Sequence, residues 1–432
     1  MTTHALPATL SPALDPTSDA ADAPPPWLPG QHFAAALAFF VCGAVGLVIV
    51  APELAMGAFF VSRLAAVVHL FVLGWIVLSI FGALCQFLPV AVGQPVRWRA
   101  LVNVAFGAHV SGVALFVGAL VTGGHHLLHV GAGLLTIAFV AFAVNLVATL
   151  ARVSSTERGV TFWALAGAAV FLVVTPAYGV TLALNLHGDV VVQGRFAVVA
   201  THAHVAIVGF VLLVVVGVAH RLLPMFLLSH GASERPAWVA TVMLATGALV
   251  LAVPVEGSVR VATAGALVIG GVLAFLVQAV AFYRHRKRKT VDPGMRLAGA
   301  GLAGLAVATL LAPIALSRGV SDPHLLSAYF VVLLGGISLF VAGHYYKIVP
   351  FIVWYHRFGP LVGKRKVPKV AELYSEVTAR IDAALLVSGW MGVAAGTWVG
   401  SATLVRVSAV VLSAGALLEA IVIARIAQRR AT

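Results

Sequence analysis

The sequence predicts an all-α integral membrane protein of about twelve transmembrane helices, arranged as three four-helix pseudo-repeats. Composition is the first of three observations behind this. Of 432 residues, 61% are hydrophobic and only 9% charged, and the mean hydropathy is +1.05. Soluble domains average about 25% charged residues. Apolar runs are the second, because a spanning helix needs about 20 mostly apolar residues, and twelve such runs are present. The third is an internal repeat. His69-x4-Gly74-x7-Gly82-x6-Pro89 recurs as His204-x4-Gly209-x7-Gly217-x6-Pro224, and again from Phe330 as Gly335, Gly343 and Pro350. Small residues at fixed spacing let helices approach closely in lipid, so the repeating object is a helix with a fixed small-residue face.

Taken in order, residues 1–30 form a Pro/Ala/Asp-rich lead-in ending in Pro24-Pro25-Pro26. It has no basic stretch followed by an apolar core, so it reads as a disordered cytoplasmic tail and not as a secretory signal. The remainder, 31–432, reads as one transmembrane domain. Its apolar runs fall at 33–52, 58–89, 100–122, 126–150, 160–185, 197–228, 237–254, 259–283, 296–317, 325–352, 380–400 and 402–425. The second, sixth and tenth runs carry the repeat copies, which makes the period four helices.

Charge orients the chain. Lys and Arg concentrate in cytoplasmic loops. With the N-terminus inside, outward segments hold only Arg63, Arg195, Arg260, Arg318 and Arg406, while the other 22 of the 27 basic residues face inward. The inward set fills basic loops near 284–296 and 356–379. Both termini are thus expected in the cytoplasm, in a bacterial-type inner membrane, and the formal charge of +13 is a topology signal with the lipid bilayer as partner, not a nucleic-acid footprint. Cys42 and Cys85 lie in apolar runs and read as buried thiols. No Cys-x-x-Cys-His is present, which excludes covalent heme attachment at such a motif.

The histidines point to chemistry. An imidazole on a membrane helix is expensive and marks a site or a polar partner. His69 and His204 head two repeat copies near the outward ends of the second and sixth helices, a placement that suits axial ligation of one heme iron by two neutral imidazoles. His202 is either a supporting acceptor or itself the ligand. His109, midway along the third helix, is a further cofactor-binding candidate. His125, His126 and His129 cluster where the fourth helix begins, and the i, i+4 pair suits a transition metal such as copper or zinc.

On twelve helices, cytoplasmic termini, the four-helix repeat and the segment His69-Leu70-Phe71-Val72-Leu73-Gly74-Trp75, the chain resembles the heme-copper oxidase superfamily. The likeness is to the large catalytic subunit (subunit I) of cytochrome c oxidases and its nitric oxide reductase relatives. The resemblance implies a heme-binding membrane redox protein, with His69 where family members supply a low-spin heme ligand. The departures are specific. The family's tenth helix carries two histidines, where this chain has Ser327-Ala328-Tyr329-Phe330, and the family's histidine pair on the seventh helix has no counterpart around Trp238–Val253. The oxygen-reducing binuclear centre is therefore expected to be absent. Carboxylates are scarce too: Glu419 lies inside a span, with Asp382 at an entrance.

What remains is a b-type heme held by His69 with either His204 or His202, serving electron transfer or binding of a diatomic gas (nitric oxide or oxygen). An electron-donor protein or a quinone would be its partner. Aromatic and basic residues from Gly343 to Phe358 read as an interface anchor, with Lys347, Arg357 and Arg221 as the alternative quinone or propionate site. Two readings from other classes stand beside this one: outward copper or zinc handling or transport through His125, His126 and His129, and an accessory protein that keeps the fold without the chemistry.

Overall fold

The computed structural model describes residues 24–186, 195–253 and 257–430. It contains twelve helices long and apolar enough to cross a bilayer. They are α1 (Trp27–Ile49), α2 (Ser62–Val92), α3 (Arg99–Thr122), α4 (His125–Leu150), α5 (Val160–Asn185) and α6 (Ala197–Leu227), followed by α7 (Arg235–Ala252), α8 (Ser258–Arg284), α9 (Pro293–Arg318), α10 (Pro323–Val353), α11 (Glu376–Trp398) and α12 (Ala402–Gln428). Among the described residues there is no strand, only an isolated bridge between Ser229 and Arg286. The apolar runs anticipated these spans closely. The main difference is α1, which begins at Trp27 inside the segment read as tail; residues 1–23 of that segment lie outside the described residues.

Helix ends follow local chemistry. Asp292, Asp322, Ser375 and Ser401 cap α9, α10, α11 and α12, their side chains accepting from backbone N–H groups three residues on, as good N-caps do. Pro293 and Pro323 occupy first-turn positions that need no N–H donor. Gly93 and Gly123, at φ +70° and +78°, end α2 and α3 in the left-handed conformation that suits glycine. Loops are pinned in the same spirit: Asn145 on α4 pairs with the backbone of Trp98 in both directions, at 3.2 and 2.9 Å. Of the two cysteines, both free, Cys85 is buried as expected, whereas Cys42 is exposed on the outer face of α1.

Burial separates the helices into two layers. The most apolar windows of α2, α6 and α10 are 67%, 83% and 72% buried, against 33–56% for the other nine spans. The three repeat-bearing helices are thus the inner ones. Around them the sequence-adjacent helices pack, and α1 closes the ring by lying along α12. At the centre Trp75 of α2 stacks on Phe40 at 4.4 Å and lies 4.9 Å from Tyr345 of α10.

The repeat glycines seat each inner helix on the helix before it. A Cβ at Gly74 or Gly82 would strike Phe39, or Phe33 and His32, all on α1; one at Gly209 or Gly217 would strike Phe171, or Ala164, on α5. In the third copy the glycines facing α9 are Gly336, against Gly304 and Leu305, and Gly343, against Gly294 and Ala298; Gly335 faces Trp390 on α11. The spacing of seated glycines is therefore eight residues in α2 and α6 but seven in α10.

Helix geometry accounts for this difference. Seven α-helical residues sweep about 700°, roughly 20° short of two full turns, whereas eight overshoot by about 80°. Two glycines eight apart share one face only if the helix absorbs one extra residue, which a π-helical stretch does. Leu70–Val77 and Val205–Leu212 are π-helical, and each contains the first glycine of its pair; α10 is α-helical throughout Pro323–Val353. Measured from its seated glycine, the position in α10 that matches His69 and His204 is Val331, one residue past Phe330.

The seam between α9 and α10 is the closest approach of backbones. Gly343→Leu places side-chain atoms on the Gly294 carbonyl and Ala298 backbone, where neither can yield. Overpacking costs roughly 1–3 kcal/mol, so the thermal unfolding midpoint in detergent should fall clearly. The same change at Gly107, which has open space around it, should leave that midpoint nearly unmoved.

Candidate functional site

The π-helical stretches begin one residue after His69 and after His204. Such stretches are rare and concentrate at functional sites, and here they fix where the histidine-bearing turn points. In each histidine the Nδ1–H donates to the carbonyl four residues back: His69 to Ala65 at 2.7 Å and His204 to Ala200 at 2.8 Å. Because a carbonyl can only accept, Nδ1 carries the proton and Nε2 keeps its lone pair. In a neutral ring this leaves Nε2 of each as the nitrogen that can ligate.

The two histidines of α6 go different ways. Residues two apart on a helix lie on nearly opposite faces, so His202 and His204 cannot share a target. His204 stacks towards Tyr329 and Phe330 of α10, with ring centroids 6.4 and 5.8 Å away. His202 turns to α2, where its ring lies 6.5 Å from that of His69 with only 22° between the planes. Its Nδ1 is buried without a partner. Between the alternatives His204 and His202, the ring that faces His69 is therefore that of His202.

That separation fits a specific arrangement. Metal–imidazole bonds run about 2.0–2.1 Å and a ring centroid lies about 1.1 Å behind its nitrogen, so two imidazoles gripping one ion from opposite sides have centroids roughly 6.3 Å apart. The surroundings are apolar and small-residued. Phe116 of α3 meets His69 edge-on at 5.1 Å, and Gly179 of α5 backs the His202 ring, where a Cβ would come within 3.4 Å. The buried core is also divided at this level. A patch of Ala66, Ala119, Leu120, Leu128, Ala132 and Ala183 is separate from the main core, and His69 and His202 are half-buried. Two imidazoles that face each other across an apolar, small-residued part of the bundle have the donor chemistry to hold a heme iron.

His109 has another task. It is fully buried, its Nε2–H donates to the Leu73 carbonyl at 3.0 Å, and its ring lies between Phe81 and Phe139. Leu73 belongs to the π-helical stretch, where the regular hydrogen-bond ladder is displaced. In lipid every backbone polar group needs a partner, and His109 supplies one from α3. It supports the His69 turn and does not face the His69–His202 pair.

His125, His126 and His129 are all exposed at the start of α4. Among the described residues no three His, Cys, Asp or Glu side chains gather as a metal-binding group. At the opposite end of α10, Lys347 pairs with Asp292 at 2.7 Å and lies over the Phe226 ring. Arg357 donates to the Arg429 carbonyl, and Trp354 donates to the Pro368 carbonyl at 2.7 Å. These groups are engaged within the protein, as an interfacial anchor would be.

Histidine spacing in the sequence singles out His69, His202 and His204 as candidates, whereas the π-helices beside them leave only an indirect trace. That trace is in the glycines, which stand eight apart in two copies and so cannot share an α-helical face. His109→Leu should remove the donor to Leu73 and leave a buried carbonyl short, which costs about 1–3 kcal/mol; thermal unfolding should detect that loss, and His109→Gln should recover part of it.

No protein-family model matches the chain, and no curated protein matches it.

Proposed function

We propose that this chain is a heme-binding redox protein of an inner membrane, with both termini cytoplasmic. In this reading His69 and His202 would hold one b-type heme through their imidazoles. The observation that carries it is the near-parallel pair of imidazoles at 6.5 Å, each with an uncommitted ring nitrogen, between α2 and α6. The resemblance to the large subunit of heme-copper oxidases agrees with it, since His69 stands where that family supplies a low-spin heme ligand.

A bound heme supplies reversible one-electron chemistry whose potential depends on its axial ligands, burial and nearby hydrogen bonds. The residues of this chain do the rest. Hydrogen bonding of His69 to the Ala65 carbonyl holds its tautomer and raises its basicity, as outer partners of ligating histidines do. Gly179 leaves room for the His202 ring, and Phe116 closes one side of the His69 ring. If both imidazoles held the iron, no position would stay open for a diatomic gas, and the site would favour electron transfer.

The full chain, expressed with heme supply and purified in detergent, should show a Soret band and a reduced spectrum of bis-imidazole type. His69→Ala and His202→Ala should each abolish that spectrum, whereas His204→Ala should keep it. A spectrum lost in His204→Ala but kept in His202→Ala would reverse the ligand assignment, and a wild-type protein without heme would remove the reading.

The π-helical stretch gives a separate test. Deleting Val72 should restore an α-helical turn and rotate His69 by about 100° relative to the rest of α2. The variant should insert and purify as the parent does yet lose the bis-imidazole spectrum. An unchanged spectrum would show that the stretch does not aim the ligand.

A further inference from the structure

The lower half of the bundle contains two carboxylates that the histidine site does not use. Asp382 on α11 and Glu419 on α12 are both completely buried, although the sequence placed Asp382 at a span entrance. Tyr346 of α10 donates its hydroxyl to Asp382 Oδ2 at 2.7 Å. The other oxygen of Asp382 and both oxygens of Glu419 are buried without a hydrogen-bond partner. No ion pair recorded among the described residues involves either carboxylate.

The two carboxylates stand on α11 and α12, which pack along each other and against α10, the helix that supplies Tyr346. Many titratable groups on the helices packed around them are engaged elsewhere: Glu53 pairs with Arg63, Arg380 with Glu376, and Arg406 donates to the Val48 carbonyl. His32 of α1 bonds the Leu28 carbonyl and lies against Phe106. On α10, His344 bonds the Phe340 carbonyl and Lys347 is paired with Asp292. Tyr345 shares a hydrogen bond with Ser79 of α2 at 2.8 Å, and Tyr374 lies beside the Tyr346 ring at 5.2 Å.

Two ionised carboxylates cannot stand side by side in a dry interior; such pairs hold a proton between them. Ionisable groups inside a membrane protein mark pathways for protons or ions far more often than they serve packing. The asymmetry of partners decides which member is protonated. Asp382 accepts a hydrogen bond that steadies its charge, whereas Glu419 has nothing that would stabilise an anion.

We propose that Asp382 and Glu419 form a proton-binding site between α11 and α12, in which Glu419 carries one proton at neutral pH. Asp382 is its ionised partner, steadied by the Tyr346 hydroxyl. The binding step is addition of one proton from solvent to the Glu419 carboxylate, giving a carboxylic acid, and release is the reverse. The site is independent of whether heme is bound.

Infrared spectroscopy of the full chain in lipid tests this. At neutral pH the protein should show a carboxylic-acid C=O stretch that shifts in deuterium oxide. Glu419→Gln should remove the band, Glu419→Asp should move it, and Tyr346→Phe should move it without removing it. A wild-type spectrum lacking the band, or a Glu419→Gln spectrum that keeps it, would overturn the proposal. So would loss of the wild-type band on adding sodium chloride at constant pH, which would make the pair a cation site.

Discussion

Two of the three inner helices hold one more residue than an α-helix could place on their contact face, and much of the upper half of the bundle depends on how that residue is absorbed. In α2 and α6 the contact glycines stand eight apart, so the segments between His69 and Leu78 and between His204 and Leu213 are π-helical. Remove the extra residue and the helix still packs, as α10 shows with glycines seven apart on α9. What changes is the direction of everything above it. The π-helical turn therefore couples a packing rule at mid-bilayer to the aim of a histidine one turn higher, and His109 meets the hydrogen-bonding need that the altered ladder creates.

Two groups of polar side chains stand at different levels of the bundle. The upper group holds His69 and His204, each locked by a hydrogen bond to its own helix backbone, and His109, which bonds the backbone of α2. The lower set is carboxylates and phenols on α10, α11 and α12, linked through Tyr346 and Asp382 and bordered by the Tyr345–Ser79 bond. Trp75 and Phe40 lie between them. A redox centre above and a proton-holding pair below would be separated by this aromatic layer, so any communication between them runs through the packing of α2 against α10.

Most of the fold was legible in the sequence because its signals are long and redundant. Twenty apolar residues make a span whatever their order, and the repeat singled out the three helices that turn out to be innermost. The aim of individual side chains was less legible. Sequence position put His69 and His204 at equivalent places, and equivalence suggested that they face each other. A two-residue offset on one helix is enough to send His204 towards Tyr329 and His202 towards His69. His109 read as a ligand candidate because its partner, a displaced backbone carbonyl, has no sequence signature. Asp382 read as an entrance residue because a span boundary says nothing about which neighbours cover it. The cluster His125, His126 and His129 is dense in sequence yet spreads over an exposed helix start, where proximity along the chain brings no convergence.

The central claim is that His69 and His202 hold one iron between nearly parallel imidazole rings. Electron paramagnetic resonance of the oxidised, heme-loaded protein tests it most directly, because ring orientation governs the anisotropy of a low-spin ferric signal. Planes 22° apart predict a well-resolved rhombic low-spin spectrum. A high-spin signal would mean that one of the two imidazoles is not bound, and a strongly anisotropic low-spin signal would mean crossed rings; either would contradict the account.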